Sequence, residues 1–331
     1  MKAFVFERTG DPNDVLAVRE LPEPKPGPGE ILVRVLLSPV HPSDMDIMRG
    51  RFGRQPTLPA SPGIECVGVV EALGSGVAGP APGTRVVLLN VWGSWRELIV
   101  SPAERVIPVP SELSDEDAAQ ALVNPVTAWV MGDWLVQTAA GSTVGQLVLQ
   151  LARLEGFRTV NIVRRRAQVP DIKALGGEVV ITSEDNDWGT QLATASEGKA
   201  LSRAIDCVAG RTGATVARHL APDGRMLVYG ALSSHKQTDP SAFEMPVFAP
   251  RLIYSAAAVQ GWYLPHWLEV TPLADCGAIF AKVLDRLASG ALRLPPAKRH
   301  RPQNIAVALH DTDGTPREGK PLLDLSSWAA G

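Results

Sequence analysis

The sequence predicts an α/β protein in two parts: a compact β-rich domain, and a doubly wound parallel sheet flanked by helices. Two observations carry this. Up to about Ala121 the chain offers short apolar runs separated by Pro- and Gly-rich turns, and from about Leu122 strand-like runs alternate with helical ones. A chain of 331 residues, 45% hydrophobic and 20% charged, is long and apolar enough to bury the cores of two such domains.

In order, the β-rich part has expected strands at Lys2–Phe6, Ile31–Leu37, Cys66–Leu73, Thr84–Leu89 and Trp95–Val100. The stretches Pro22–Gly29 and Gly74–Gly83 punctuate them as tight turns, the mark of a closed barrel-like unit and not of a linker. Asn124–Gly132 reads as a helix that runs into a strand at Asp133 with almost no connection, where several loop residues are usual. Strands then follow at Leu135–Gln137 (with Trp134 leading in), Thr159–Val163, Val179–Thr182, Ala204–Val208, Met226–Tyr229 and Ala258–Tyr263, with helices such as Gly213–Leu220 between them. Pro272–Ser289 is a further helix with Ile279, Val283, Leu284 and Leu287 on one face, and the tail returns to β-like pieces ending in Gly319–Asp324. The expected division is 1–121 with 290–331 for the β-rich domain and 122–289 for the sheet domain.

The segment Asp133–Arg166 is the most informative. After its first strand comes a small-residue turn, Ala139-Ala140-Gly141-Ser142-Thr143-Val144-Gly145. A helix beginning near Thr143 follows, with Leu147, Val148, Leu151 and Leu154 at helical spacing. A pyrophosphate needs backbone N–H groups, a helix N-terminus and no bulky side chain in the way. Gly141, Ser142, Thr143, Val144 and Gly145 offer all three, although Ala140 and Ser142 stand at the first two glycine positions of the usual fingerprint. The second strand ends in Arg164, Arg165 and Arg166. Sites for a 2′-hydroxyl place an acid there, roughly 20 residues past the glycines, whereas guanidinium forks suit a 2′-phosphate. The cofactor expected is NADPH, with Arg164 and Arg165 favoured over Arg166 as contacts.

Composition excludes several classes. A net charge of −3 gives no reason to expect nucleic acid or an anionic membrane as partner, and no apolar run approaches the ~18–20 residues of a membrane span. The start MKAFVFERTG reads as a strand and not as a signal peptide. Three scattered cysteines, Cys66, Cys207 and Cys276, fit a reducing, cytoplasmic setting and rule out a four-cysteine zinc site.

Several segments together resemble the medium-chain dehydrogenase/reductase superfamily. They are Pro42-Ser43-Asp44, Pro62–Gly68 (PGIECVG), Gly93-Ser94-Trp95, Asn124–Ala128 (NPVTA), Ala139–Gly145, Val163–Arg166 and Gly319-Lys320. Within it the chain is similar to the zinc-independent quinone oxidoreductases and trans-2-enoyl thioester reductases. The resemblance implies a GroES-like β domain, a nested Rossmann domain and a homodimer paired through Ala258–Tyr263. It also implies a substrate site between the β domain and the sheet, near His41, Phe52 and Thr127. Thr127, Tyr229, Gly230 and Lys320 become candidate cofactor contacts. The alternative for Lys320 is a solvated side chain, and Trp262 and Trp267 fit a subunit interface or core better than a substrate cleft.

Zinc-dependent relatives carry Cys-His in the segment that here reads Val40-His41-Pro42-Ser43-Asp44, and His-Glu where this chain has Ile64-Glu65. A catalytic zinc needs three ligands and an open position. With the cysteine and the second histidine missing, no metal is expected, His41 becomes a hydrogen-bonding residue and Glu65 a buried, paired acid. Hydride must then go to an acceptor already polarised by conjugation: an enoyl thioester, an enone or a quinone. Enoyl thioester reductases place a tyrosine where Phe52 stands, and phenylalanine donates no proton. The expectation is therefore a metal-free NADPH-dependent reductase of conjugated C=C or quinone substrates. The alternative is a non-catalytic NADPH-binding or interaction protein on the same scaffold, with a zinc alcohol dehydrogenase third.

Overall fold

The computed structural model describes residues 1–129, 135–195, 201–235, 237–313 and 319–328. Its strands, in chain order, are β1 (Lys2–Phe6), β2 (Leu16–Glu20), β3 (Glu30–Pro39), β4 (Val67–Leu73), β5 (Arg85–Leu88), β6 (Leu98–Pro102), β7 (Val106–Pro108), β8 (Leu135–Thr138), β9 (Thr159–Val163), β10 (Val179–Thr182), β11 (Arg203–Asp206), β12 (Arg225–Val228), β13 (Ala258–Gly261), β14 (Ala297–His300) and β15 (Lys320–Asp324). The chain divides into two compact units, Met1–Val123 with Phe280–Gly331, and Asn124–Ile279.

The first unit is built on β3. Its length lets β4 pair along one edge, while β6 and β15 share the other, β6 beside the first half and β15 beside the last residues. Register shifts at Leu32/Val33 and Val35/Leu37 bend the pairing with β4, as a strand must where a sheet curls toward closure. The sheet runs β14-β15-β3-β4-β5-β7, and β1 and β2 form a separate antiparallel ribbon. Phe4, Trp95 and Trp328 pack at its centre, with ring centroids 6.1 Å apart for Phe4–Trp95 and 5.2 Å for Phe4–Trp328. The Trp95 indole N–H donates to the Pro39 carbonyl at 3.2 Å, so the largest core side chain also leaves no polar atom unsatisfied.

The second unit is a six-stranded sheet ordered β10-β9-β8-β11-β12-β13 with every pairing parallel. Strand order reverses between β8 and β11, which makes their carboxyl ends the place where a doubly wound sheet opens a crevice. The core gathers Val136, Val160, Ile162, Ile181, Ala204, Val216 and Met226. Unusually for a parallel sheet, it also buries a polar row. Gln137 donates to Asn161 Oδ1 at 2.7 Å, and Asn161 donates to Thr159 Oγ1 at 2.9 Å and to the Val179 carbonyl at 3.0 Å.

The expected strands at Lys2–Phe6, Thr159–Val163 and Val179–Thr182 form with those bounds. Elsewhere the structure corrects the reading. β6 lies at Leu98–Pro102 and not Trp95–Val100, because Trp95 turns into the core and Arg96 closes a turn on Ser94. β2, β7 and β14 are additional; β2 is half-exposed or exposed throughout and β7 has three residues, so neither carries a strong apolar alternation. β13 stops at Gly261 instead of Tyr263, since Tyr263 becomes the N-cap of a helix Leu264–Val270 with Pro265 in its first turn. Trp267 lies in that helix and not beside a strand. The helix near Asn124 runs Val123–Trp129; its junction with the following strand, Gly132-Asp133, and Trp134 lie outside the described residues. Among the described residues no helix is long and apolar enough to cross a membrane.

Candidate functional site

In the second unit, the carboxyl end of β8 turns sharply. Ala139 takes a positive φ of 49°, and the Ser142 amide donates back to the Ala139 carbonyl at 2.8 Å. Ser142 is the N-cap of the 13-residue helix Thr143–Glu155, its hydroxyl accepting from the Gly145 amide at 3.1 Å. The helix ends on Gly156 in the left-handed conformation, as a C-cap glycine does. Gly145 packs so closely on the turn that a Cβ there would lie 2.5 Å from the Ala140 carbonyl oxygen, a backbone atom with no room to yield. Ala140 is itself tied to β9 through the Ile162 carbonyl at 3.1 Å. The amides of Gly141, Thr143 and Val144 take no acceptor among the described residues. Donors grouped at a helix N-terminus make an anion cradle, the arrangement that suits a phosphate group.

β9 ends at Val163, and Arg164, Arg165 and Arg166 follow it, all exposed. Arg166 is committed to Asp185 at 2.6 Å, and its amide donates to Glu184 at 3.4 Å. The Arg165 amide donates to Gln168 Oε1 at 3.0 Å.

The other side of the strand-order reversal is braced by Asp206, the last residue of β11. One carboxylate oxygen accepts from Thr138 Oγ1 at 2.5 Å and from the Val208 amide at 2.9 Å; the other accepts from the Ala209 amide at 2.9 Å. Burial raises the Asp206 carboxyl pKa against the pull of these donors. The loop it fixes is strained, with Ala209 at φ 58°. Tyr229 and Gly230 follow β12 beside this loop. The Tyr229 hydroxyl is enclosed next to the Cys207 thiol without reaching hydrogen-bond geometry to any described partner, and burial drives its pKa upward. Gly230 lies against Cys207, where a Cβ would approach the Cys207 carbonyl oxygen to 3.1 Å.

The first unit holds a second constellation. His41 closes β3 and caps the helix Pro42–Met48, its own amide donating to Asp44 Oδ2 at 2.7 Å. The His41 ring spans two groups, with Nε2 2.8 Å from Glu65 Oε2 and Nδ1 3.1 Å from Lys320 Nζ. An ammonium at Nδ1 makes that nitrogen the acceptor, so Nε2 carries the proton and donates to Glu65. Glu65 Oε1 accepts from the Leu122 amide at 2.6 Å and the Val123 amide at 3.0 Å. Asp44 Oδ1 accepts from Gly63 at 3.2 Å, and Gly63, at φ 100°, has no room for a Cβ beside Ser94 and Trp95. His41, Asp44, Glu65 and Lys320 are all at most 5% exposed. Burial pushes the Glu65 carboxyl up to about 7 and the Asp44 carboxyl up to about 6, in each case against hydrogen bonds and the Lys320 charge.

The structure thus brings Gly141, Ser142, Thr143, Val144 and Gly145 together in one cradle, with Tyr229 and Gly230 after β12 in the same unit. It puts Lys320 inside the β unit against His41, where the reading as a solvated lysine does not stand. Phe52 is half-buried and packs on the core of the first unit, its ring centroid 6.1 Å from that of Trp92. Thr127 belongs to the helix Val123–Trp129; its side chain lies outside the described residues. Sequence reasoning missed Thr138, Asp206 and the Gln137–Asn161 pair. Their signal is a polar residue inside, or closing, an otherwise apolar strand, where burial demands a partner.

A parallel sheet with an anion cradle at its strand-order reversal, joined to a mostly antiparallel β-rich unit, defines a dinucleotide-binding oxidoreductase scaffold. Residues 27–111 match the family profile described as the alcohol dehydrogenase GroES-like domain, and residues 143–276 match that described as zinc-binding dehydrogenase. The mitochondrial enoyl-[acyl-carrier-protein] reductase of Bos taurus is 31% identical over 93% of this chain and 84% of its own length. A candidate NADPH:quinone reductase from Bacillus thuringiensis superposes with a TM-score of 0.89 at 27% identity, covering 98% of both chains. The Etr1p complex with NADP and crotonyl-CoA shares the fold, with a TM-score of 0.82 at 23% identity over 98% of this chain and 99% of that one. The chain belongs to the medium-chain dehydrogenase/reductase superfamily.

The zinc in one profile's name does not fit the residues here. His41 has an ammonium at one ring nitrogen and a carboxylate at the other, both Asp44 oxygens and one Glu65 oxygen are taken by amides, and among the described residues no three His, Cys, Asp or Glu side chains group as ligands.

Proposed function

We propose that this chain is an NADPH-dependent reductase that adds hydride to a conjugated C=C or quinone without a metal. The observation that carries it is the cradle at Gly141–Gly145 with two exposed arginines, Arg164 and Arg165, and no acid at the end of β9. Bound there, NADPH supplies the hydride. The turn amides and the dipole of the helix Thr143–Glu155 hold the pyrophosphate. Arg164 and Arg165 hold the 2′-phosphate, while Arg166 stays with Asp185. Asp206 and Thr138 fix the loop Cys207–Gly210 on the far side of the reversal, and Tyr229 and Gly230 complete the cofactor wall. The β-rich part, expected over 1–121 with 290–331, is the catalytic domain and the sheet part, expected over 122–289, the NADP-binding domain, although the compact units divide at Val123/Asn124 and Ile279/Phe280. His41, Phe52 and Thr127 are nearest the substrate. Phe52 offers no proton, so a quinone, whose reduced oxygens take protons from solvent, suits the chain better than an enoyl thioester. The edge strand β13, exposed along most of its length, is offered for pairing with a second copy, and the three buried free cysteines suit the cytoplasm.

Fluorescence titration tests the cofactor: NADPH binds at least tenfold more tightly than NADH, and absence of NADPH binding refutes the reading. Turnover with a quinone and with a short enoyl thioester tests the reaction. Phe52 is the observation that favours the second reading, an NADPH-binding protein without catalysis, and oxidation of NADPH by neither acceptor supports it.

A further inference from the structure

Four titratable side chains are buried in one place, and three of them, Lys320, His41 and Glu65, form a chain with a direction. Lys320 comes from β15, His41 from the end of β3, Asp44 from the helix Pro42–Met48 and Glu65 from the segment before β4, so four separate parts of the sequence meet. The links are Lys320 Nζ to His41 Nδ1 at 3.1 Å, His41 Nε2 to Glu65 Oε2 at 2.8 Å, and Glu65 Oε1 to the Leu122 and Val123 amides at 2.6 and 3.0 Å. The last pair of bonds falls at the start of the helix Val123–Trp129, whose first amides have no intrahelical acceptor. Glu65 is thus a side-chain cap reaching 57 residues along the chain, and it carries Thr127's helix from its first turn.

A cap of this kind is strong as a carboxylate and weak as a neutral acid, because charge roughly doubles a hydrogen bond to a backbone amide. Burial alone would protonate Glu65. Among the described residues the groups facing it are the His41 ring and, through that ring, the Lys320 ammonium; Asp44 bonds the His41 amide, and the neighbouring Cys66 thiol is kept protonated by burial and by Glu65. Only Lys320 brings a permanent positive charge to this set. We propose that Lys320 and His41 are positioning residues that favour Glu65 as a carboxylate, which clamps the Leu122 and Val123 amides and fixes the start of the helix bearing Thr127. Lys320 acts through His41 and needs no contact with substrate or cofactor to do so.

Hydrogen exchange at Leu122 and Val123, corrected for intrinsic rates, reads the clamp in the intact wild-type chain. In a local opening that frees these two amides while Glu65 stays buried, protection is expected to fall as pH drops through about 7, where Glu65 takes up its proton and its amide bonds weaken. Lys320→Met moves that midpoint to higher pH and speeds exchange of both amides at neutral pH by on the order of tenfold. Lys320→Arg, which keeps the charge, returns the midpoint toward the wild-type value, and Glu65→Gln removes the pH dependence. Should the wild-type midpoint be missing, or stay in place in Lys320→Met, the proposal fails. It fails equally where Lys320→Met loosens β3 and β15 to the same degree as Leu122 and Val123, which is general destabilisation. Any effect on kcat rests on the reductase reading, whereas the exchange readout does not, so failure of one is distinguishable from failure of the other.

Discussion

Thr138 and Asp206, 68 residues apart, meet at 2.5 Å where the two central strands of the parallel sheet end. Their bond joins β8 to β11 across the point where strand order reverses, and the same carboxylate fixes the Val208 and Ala209 amides. Replacing Asp206 by Ala leaves three donors without an acceptor in a buried site. A loss of about 3 kcal/mol of unfolding free energy is expected, measured by urea denaturation. Asp206→Asn, which keeps shape and one acceptor, loses about half as much.

The arginines after β9 give the cofactor prediction. Arg164→Ala and Arg165→Ala each raise KM for NADPH by about 10- to 100-fold, the loss of a charge-assisted bond to a phosphate, while KM for NADH changes little. Arg166→Ala has the smaller effect because its side chain is already paired with Asp185. Steady-state kinetics with both nucleotides checks all three.

Gly145→Ala tests the close approach of helix to turn. Its methyl would press on the Ala140 backbone, so a loss of about 2 kcal/mol and weakened NADPH binding are expected, read by thermal unfolding and fluorescence titration.

Stability should depend on pH through Asp44 and Glu65. Both carboxyls lie above their ordinary values, Asp44 at about 6 against 3.8 and Glu65 at about 7 against 4.5. The folded state therefore holds these protons more tightly than the unfolded chain. Their contribution, about 3 kcal/mol each, is complete below about pH 4 and is lost as pH rises toward 7. Unfolding free energies of the wild type and of Asp44→Asn with Glu65→Gln, compared from pH 4 to 8, isolate it: the difference between them varies across this window and is flat above it.

Phe52→Tyr supplies a hydroxyl where this chain has none. An increase in NADPH oxidation with an enoyl thioester and no change with a quinone is the expected outcome.

Much of this was legible in the sequence, for reasons that individual residues make plain. Thr159–Val163 sets Val160, Ile162 and Val163 between a glycine turn and three arginines, and it forms the strand it predicts although Asn161 interrupts the apolar run. The cradle reads directly because small residues before a helical period have few other uses. The charge cluster does not, since His41, Glu65 and Lys320 are separated by hundreds of positions in part, and the pairing of β3 with both β15 and β4 brings them within bonding distance. Lys320 looks solvated in sequence because a lysine beside a glycine at a strand start normally is. β2 and β14 escape because their exposed residues blur the alternation on which a strand reading depends.

Gln137 and Asn161 face each other in register in the middle of the sheet, and the Gln137 amide also donates to the Gly145 carbonyl. A one-residue slip of β9 against β8 would put Gln137 opposite Val160 or Ile162 and part it from Asn161. The pair therefore acts as a key for register, since misaligned pairings of these strands forfeit its hydrogen bond. The cradle inherits its alignment from that choice, since the turn at Ala139–Ser142 begins one residue beyond β8.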